Sequence, residues 1–108
     1  MSDQGLIQHF TDSGFHNHIQ KGVTLVDFHA NWCGPCRTLA PVLEQVAKDL
    51  KGKAVIGKMD IDEEQKTAAQ FQITSVPTMI LFKDGKEVSR LVGLHTADAV
   101  KKLIQSAL

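Results

Sequence analysis

Val23-Thr24-Leu25-Val26-Asp27-Phe28-His29-Ala30, followed at once by Asn31-Trp32-Cys33-Gly34-Pro35-Cys36, decides the fold. The first run is rich in β-branched residues and apolar on both alternating faces, as a central strand covered on both sides requires. Beyond the cysteines, Leu39, Val42, Leu43, Val46, Ala47 and Leu50 recur at helical spacing. A helix is therefore expected to open near Cys36 and run to about Lys51. The unpaired N–H groups and positive end of that helix favour a thiolate, so Cys33 is expected to ionise more readily than a free cysteine. Arg37 adds positive charge nearby. A three-residue offset brings Cys36 within reach for a disulfide. Pro35 suits a first helical turn, where its missing N–H has no partner, and Gly34 leaves the Cys33 sulfur open to another protein's disulfide. Pro41 lies inside the helix, removes a backbone hydrogen bond and is expected to kink it.

Working outward, Leu6–Phe10 reads as a short strand, and Thr11-Asp12-Ser13-Gly14 supplies cap residues for a first helix. Phe15, His18 and Ile19 are expected to face inward from that helix, which Lys21-Gly22 ends. On the other side, Lys51-Gly52-Lys53 is a turn and Ala54–Met59 a second buried strand. Asp62-Glu63-Glu64-Gln65 is an acidic helix entry, suited to the helix dipole, for a helix through Ala68, Ala69 and Phe71. Gln72–Ser75 is a loop. Thr78–Phe82 and Glu87–Val92 flank Lys83-Asp84-Gly85-Lys86 as an antiparallel hairpin. Thr96–Leu108 closes the chain as an amphipathic helix, with Ala99, Val100, Leu103, Ile104 and Ala107 on one face. The order β-α-β-α-β-α-β-β-α predicts a mixed α/β sandwich, with parallel pairing through right-handed crossovers and an antiparallel edge.

A chain of 108 residues is expected to form one domain. Its formal net charge is zero and no basic block occurs, so a nucleic-acid partner is not expected. No apolar run approaches the roughly 18 residues of a membrane span. Met1-Ser2-Asp3-Gln4-Gly5 lacks the basic start and apolar stretch of a signal peptide, so a cytoplasmic location is expected. In that compartment two cysteines are catalytic or metal-binding rather than a staple. A zinc site would need histidines from elsewhere. His9, His16, His18 and His95 are scattered, and His16 and His18 do not share a helix face. No Gly-rich phosphate loop is present, and neither a cofactor nor a metal is expected.

The stretch Trp32–Cys36 resembles the active site of thioredoxins, and the resemblance extends over nearly the whole chain. Asp27, Pro41, Lys58-Met59-Asp60-Ile61-Asp62, Val76-Pro77-Thr78, Phe82-Lys83-Asp84-Gly85 and Val92-Gly93 stand where that family has matching residues. The resemblance implies the thioredoxin fold, a central mixed five-stranded sheet flanked by four helices, with the dithiol at the end of the central strand. It implies a protein-disulfide reductase and dithiol electron carrier, acting on diverse disulfide-containing proteins and re-reduced by thioredoxin reductase. A monomer is expected.

Within that reading Cys33 attacks the substrate disulfide, and Cys36, expected to be the more buried, resolves the mixed disulfide. A half zinc site is the bland alternative. Asp27, among apolar neighbours, is expected to have a raised pKa and to take the Cys36 proton; the alternative is a solvated aspartate at a strand end. Lys58 is either its charge partner or a surface lysine. The resemblance implies a cis-proline at Pro77 that faces the dithiol and exposes the Val76 backbone for an extended substrate segment; a plain strand-initiating proline is the alternative. Trp32, Gly34, Pro35, Val76, Gly93 and Leu94 are expected to form a small apolar docking patch, although Trp32 as core packing stays open. His29 departs from the family, which commonly carries an aromatic residue there. Its imidazole either lowers a thiol pKa or fills space, and filling space is the favoured reading. A Cys33–His29 hydrolase-like pair lacks an oxyanion site and a third member. An oxidase or isomerase on the same fold, and a scaffold subunit with incidental thiols, are the other classes.

Overall fold

Residues 6–108 are described in the computed structural model; the Met1–Gly5 segment read for targeting lies outside them. The elements are β1 (Ile7–His9), α1 (Phe15–Ile19), β2 (Val23–His29), α2 (Gly34–Asp49), β3 (Val55–Asp60), α3 (Gln65–Gln70), β4 (Thr78–Lys83), β5 (Lys86–Val92) and α4 (Ala97–Gln105). Their order is the one read from the sequence. The strands form a single five-stranded sheet in the order β1-β3-β2-β4-β5. β1 and β2 both pair parallel with β3, whereas β4 runs antiparallel to both β2 and β5. The antiparallel character of the hairpin thus reaches the central strand.

Alternation along β2 divides the core. Val23 and Leu25 join Leu39, Leu43, Val46, Val100 and Ile104 of α2 and α4 on one face of the sheet. Val26 and Phe28 join Phe15, Ile19, Ile80 and Phe82, with Phe71 packed alongside, on the other. Fully burying such a side chain contributes about 1.5–3 kcal/mol, so β2 and its neighbour β4, whose Met79, Ile80, Leu81 and Phe82 are all fully buried, anchor the centre of the sheet. At the hairpin, Asp84 and Gly85 both have positive φ, 50° and 89°, the geometry of a two-residue turn that matches strand twist.

The helix after the dithiol runs from Gly34 to Asp49 with Pro35 in its first turn and the exposed Pro41 inside it. Three details differ from the sequence reading. His18 does not face the core: it is exposed and stacks on Phe10, ring centroids 4.2 Å apart. An imidazole can cover an apolar ring while its nitrogens stay wet. Asp12 does not cap α1, whose N-cap is Gly14 with no side-chain bond. Instead its carboxylate accepts from the Lys66 and Thr67 backbone N–H groups and the Thr67 hydroxyl, capping α3 from another part of the chain. The acidic run Asp62–Glu64 lies before α3, not within its first turn; there Asp60 accepts from the Asp62 and Glu63 N–H groups, closing a turn.

Candidate active site

β2 ends at His29 and α2 begins at Gly34, so the intervening loop and the first turn of α2 place the cysteines at the C-terminal end of the central strand. Cys33 and Cys36 form a disulfide, with their Cα atoms 5.3 Å apart. Cys33 is the N-cap of α2, and its Sγ accepts from the Cys36 N–H at 3.1 Å. That donor and the positive end of a 16-residue helix are in place to stabilise negative charge on Cys33 once the pair is reduced. The two cysteines are equally inaccessible, 4% and 5% exposed, so the expected difference in burial is absent. Their difference lies in bonding, because only Cys33 receives the helix N–H. Arg37 donates to the Asn31 carbonyl at 2.8 Å, which holds its charge at the base of the loop.

The disulfide packs with Ala30, Ile61 and Val76. Ile61 and its neighbour Asp62 enter the site unheralded by any pattern of spacing; only their place in the matching run 58–62 pointed there. The Trp32 indole N–H donates to the Asp62 carboxylate at 3.0 Å, leaving the ring 67% exposed rather than in the core. The Val76–Pro77 peptide bond is cis, and Pro77 is buried. The Val76 carbonyl lies 3.7 Å from the Cys33 sulfur. Gly93, at φ +90°, donates its N–H to the Pro77 carbonyl at 2.8 Å, bringing the turn after β5 against the loop before β4. A Cβ built on Gly34 would meet nothing within 4 Å, so space beside Cys33 is open. Pro35 is exposed in the first turn of α2. Leu94 is half exposed but turns toward the groove between α2 and α4, lined by Thr38, Val42 and Ala99.

Asp27, on β2, is 1% exposed, with neither carboxylate oxygen hydrogen-bonded. Burial pushes its pKa up to about 7, opposed by the nearby Lys58 ammonium. Lys58 is its register partner on β3 and is half-buried, yet no ion pair joins the two among the described residues. His29, also half-buried, is held below its ordinary pKa first by burial and then by Lys58. Among the described residues no group of three or more His, Cys, Asp or Glu side chains is placed to hold a metal. No described helix is long and apolar enough to cross a membrane.

A redox-capable Cys-x-x-Cys pair at the N-terminus of a helix, beside a cis-proline on a mixed sheet of this order, defines a thiol–disulfide oxidoreductase. Comparison with known proteins gives the same class. The thioredoxin family model matches residues 6–106. A thioredoxin of Staphylococcus saprophyticus subsp. saprophyticus is 51% identical over 98 residues, covering 91% of this chain and 94% of that protein. A thioredoxin of Staphylococcus aureus is 46% identical over the same shares. Among solved structures, a mutant thioredoxin from Halobacterium salinarum NRC-1 superposes with a TM-score of 0.85 at 38% identity, over 94% of this chain and 89% of that one. The chain belongs to the thioredoxin family, and its activity is the reduction of disulfides by a dithiol.

Proposed function

We propose that Cys33 is the nucleophile and Cys36 the resolving thiol of a general protein-disulfide reductase. The observation that carries this reading is the Cys36 N–H donated to the Cys33 sulfur at the start of α2. Reduced Cys33 attacks one sulfur of a substrate disulfide, and the other substrate sulfur leaves as a thiolate. Cys36 then attacks Cys33, expels the second substrate thiolate and closes the disulfide. Asp27, poised near neutrality, takes the Cys36 proton in that second step, and Lys58 tunes it through its charge. Substrates dock across Trp32, Gly34, Pro35, Val76, Gly93 and Leu94. A substrate segment in extended conformation pairs with the Val76 backbone beside Pro77; apart from the Cys33 contact, no hydrogen bond engages the Val76 N–H or carbonyl among the described residues.

The partners in this reading are diverse disulfide-containing proteins and, as electron donor, a thioredoxin reductase. The chain works as one domain and as a monomer in the cytoplasm, without a bound cofactor, the reversible disulfide being the redox group. The test is trapping. Cys36→Ser incubated with a peptide disulfide should accumulate a mixed disulfide through Cys33, whereas Cys33→Ser should accumulate none. The opposite pattern would reverse the two roles.

A further inference from the structure

A disulfide exchanged at Cys33 arrives as part of a polypeptide, and the chain flanking the attacked cysteine passes over this protein's surface. The end of the sheet offers it an apolar course. Phe28, Thr78 and Val92 stand in register across β2, β4 and β5, so β2 and β5 finish level with one another, and α2 and α4 both begin beyond that end. Between the two helices runs a groove of about 610 Å³, lined by Thr38, Val42, Leu94, His95, Thr96 and Ala99. Among the described residues no carboxylate, lysine or arginine lines it.

The groove is continuous with the surface around Cys33. On one wall, Thr38 lies a turn into α2 from Gly34, whose carbonyl accepts from the Thr38 hydroxyl at 3.3 Å. On the other, the half-exposed Leu94 follows Gly93, whose N–H is bonded to the Pro77 carbonyl beside Val76. Both neighbours of Leu94 are tied. The His95 Nδ1 lies 3.2 Å from the Gly93 carbonyl, and because a carbonyl only accepts, that nitrogen carries the hydrogen. Next in the chain, the Thr96 hydroxyl accepts from the Ala99 N–H and fixes the start of α4. Walls held in this way need little further ordering when a side chain enters, which favours binding.

We propose that this groove is a specificity subsite for the disulfide substrate, taking an apolar side chain such as leucine or phenylalanine four residues from the cysteine that Cys33 attacks. This rests on Cys33 as the attacking thiol and deepens that reading. The occupant is the substrate's own chain, because every turnover brings that chain to the mouth of the groove. Spacing sets the position. From Cys33 to Val42, α2 advances roughly 13 Å at about 1.5 Å per residue. An extended segment covers the same distance in about four residues at about 3.3 Å each. Side chains alternate along such a segment, so the fourth from the cysteine leaves on the cysteine's own side, toward this protein, and the third points away. A charged side chain in the fourth position would lose water against Val42, Leu94 and Ala99 with no partner in return, so the groove selects against it.

Three symmetrical peptide disulfides test this, each built on a glycine–serine–threonine host with a central cysteine. One carries leucine at the fourth position on both sides of the cysteine, one at the third, and one carries none. Reduced protein is mixed with each in excess, and acid quenching with mass spectrometry gives the second-order rate of oxidation. The fourth-position peptide should react about tenfold faster than the other two, the gain expected from partly burying one leucine. Ala99→Glu sets a carboxylate on the groove wall, and at the third position after the Thr96 cap it completes a capping box that supports α4. In that variant the ratio of fourth-position to third-position rates should fall to about one. Thr38→Glu, at an exposed position on α2, should do the same. Each ratio is taken within one protein, so differences in thiol reactivity or folded fraction cancel.

Equal rates for the three peptides in the unaltered protein would overturn the proposal, as would a preference that survives both substitutions. So would a dimer in sedimentation that Ala99→Glu dissociates, which would assign the groove to a second copy. Cys36→Ser keeps the underlying reading separate. If it accumulates a mixed disulfide through Cys33 at equal rates with all three peptides, the subsite alone fails; if it accumulates none, the role of Cys33 fails and the subsite with it.

Discussion

Asp27 and Lys58 face one another in register on adjacent parallel strands, and no hydrogen bond or ion pair joins them. A buried carboxylate that a neighbouring ammonium only partly offsets stays destabilised as an anion, which is the property a proton acceptor near neutral pH needs. Pairing Asp27 tightly would hold its pKa low and remove that property.

The cost appears in stability. Asp27 binds its proton more tightly folded, at about 7, than at its ordinary 3.8, so the native state holds the extra proton between those values. Stability is therefore lost as pH rises through that window, and the loss is complete above the folded value. Relative to the unaltered protein, Asp27→Ala should gain on the order of 3 kcal/mol between pH 4 and pH 8. Urea unfolding at the two pH values measures it. Parallel curves for the two proteins would show that Asp27 does not titrate in that range.

Asp12 acts in the opposite sense. Three hydrogen bonds to the start of α3 hold its pKa below the ordinary 3.8, overcoming the effect of burial. Its contribution is present above that ordinary value and disappears as pH falls through the lowered one. Asp12→Ala should lower stability at pH 7 by about 1–2 kcal/mol, the scale of a lost N-cap, as read from chemical denaturation. The deficit should shrink in acid.

Gly57 marks a close approach between strand and side chain. A Cβ there would collide with the ring of Phe10, which is 2% exposed and has little room to retreat. Gly57→Ala should destabilise by about 1–3 kcal/mol, and Phe10→Leu in the same chain should recover part of the loss. A double-mutant cycle checks this; strict additivity would contradict it.

Trp32 is exposed and anchored by one bond to Asp62, so its role should register in kinetics more than in folding. Trp32→Ala should change unfolding free energy by no more than about 1 kcal/mol. For a peptide disulfide it should raise KM several-fold. Asp62→Ala, which only frees the indole, should give a smaller rise in the same direction.

The strands, the helices and the dithiol were legible because each rests on local periodicity or local motif. β2 is read from its apolar run, and α2 from the spacing of Leu39, Leu43 and Val46. What escaped depends on distant chain segments meeting. Nothing local marks Asp12 as the cap of a helix that begins at Gln65, or His18 as a cover for Phe10. The equal burial of Cys33 and Cys36 also needed the fold, since Ile61 and Val76 arrive from other elements to cover both sulfurs. The groove beside Leu94 belongs to the same class: α2 and α4 each supply part of its wall.

The measurement closest to the central claim is the equilibrium reduction potential of the Cys33–Cys36 pair in a dithiothreitol or glutathione buffer. A reductant of protein disulfides should lie near about −270 mV, the value established for thioredoxins. A potential between about −120 and −180 mV, where oxidases and isomerases lie, would contradict the direction of electron flow argued here.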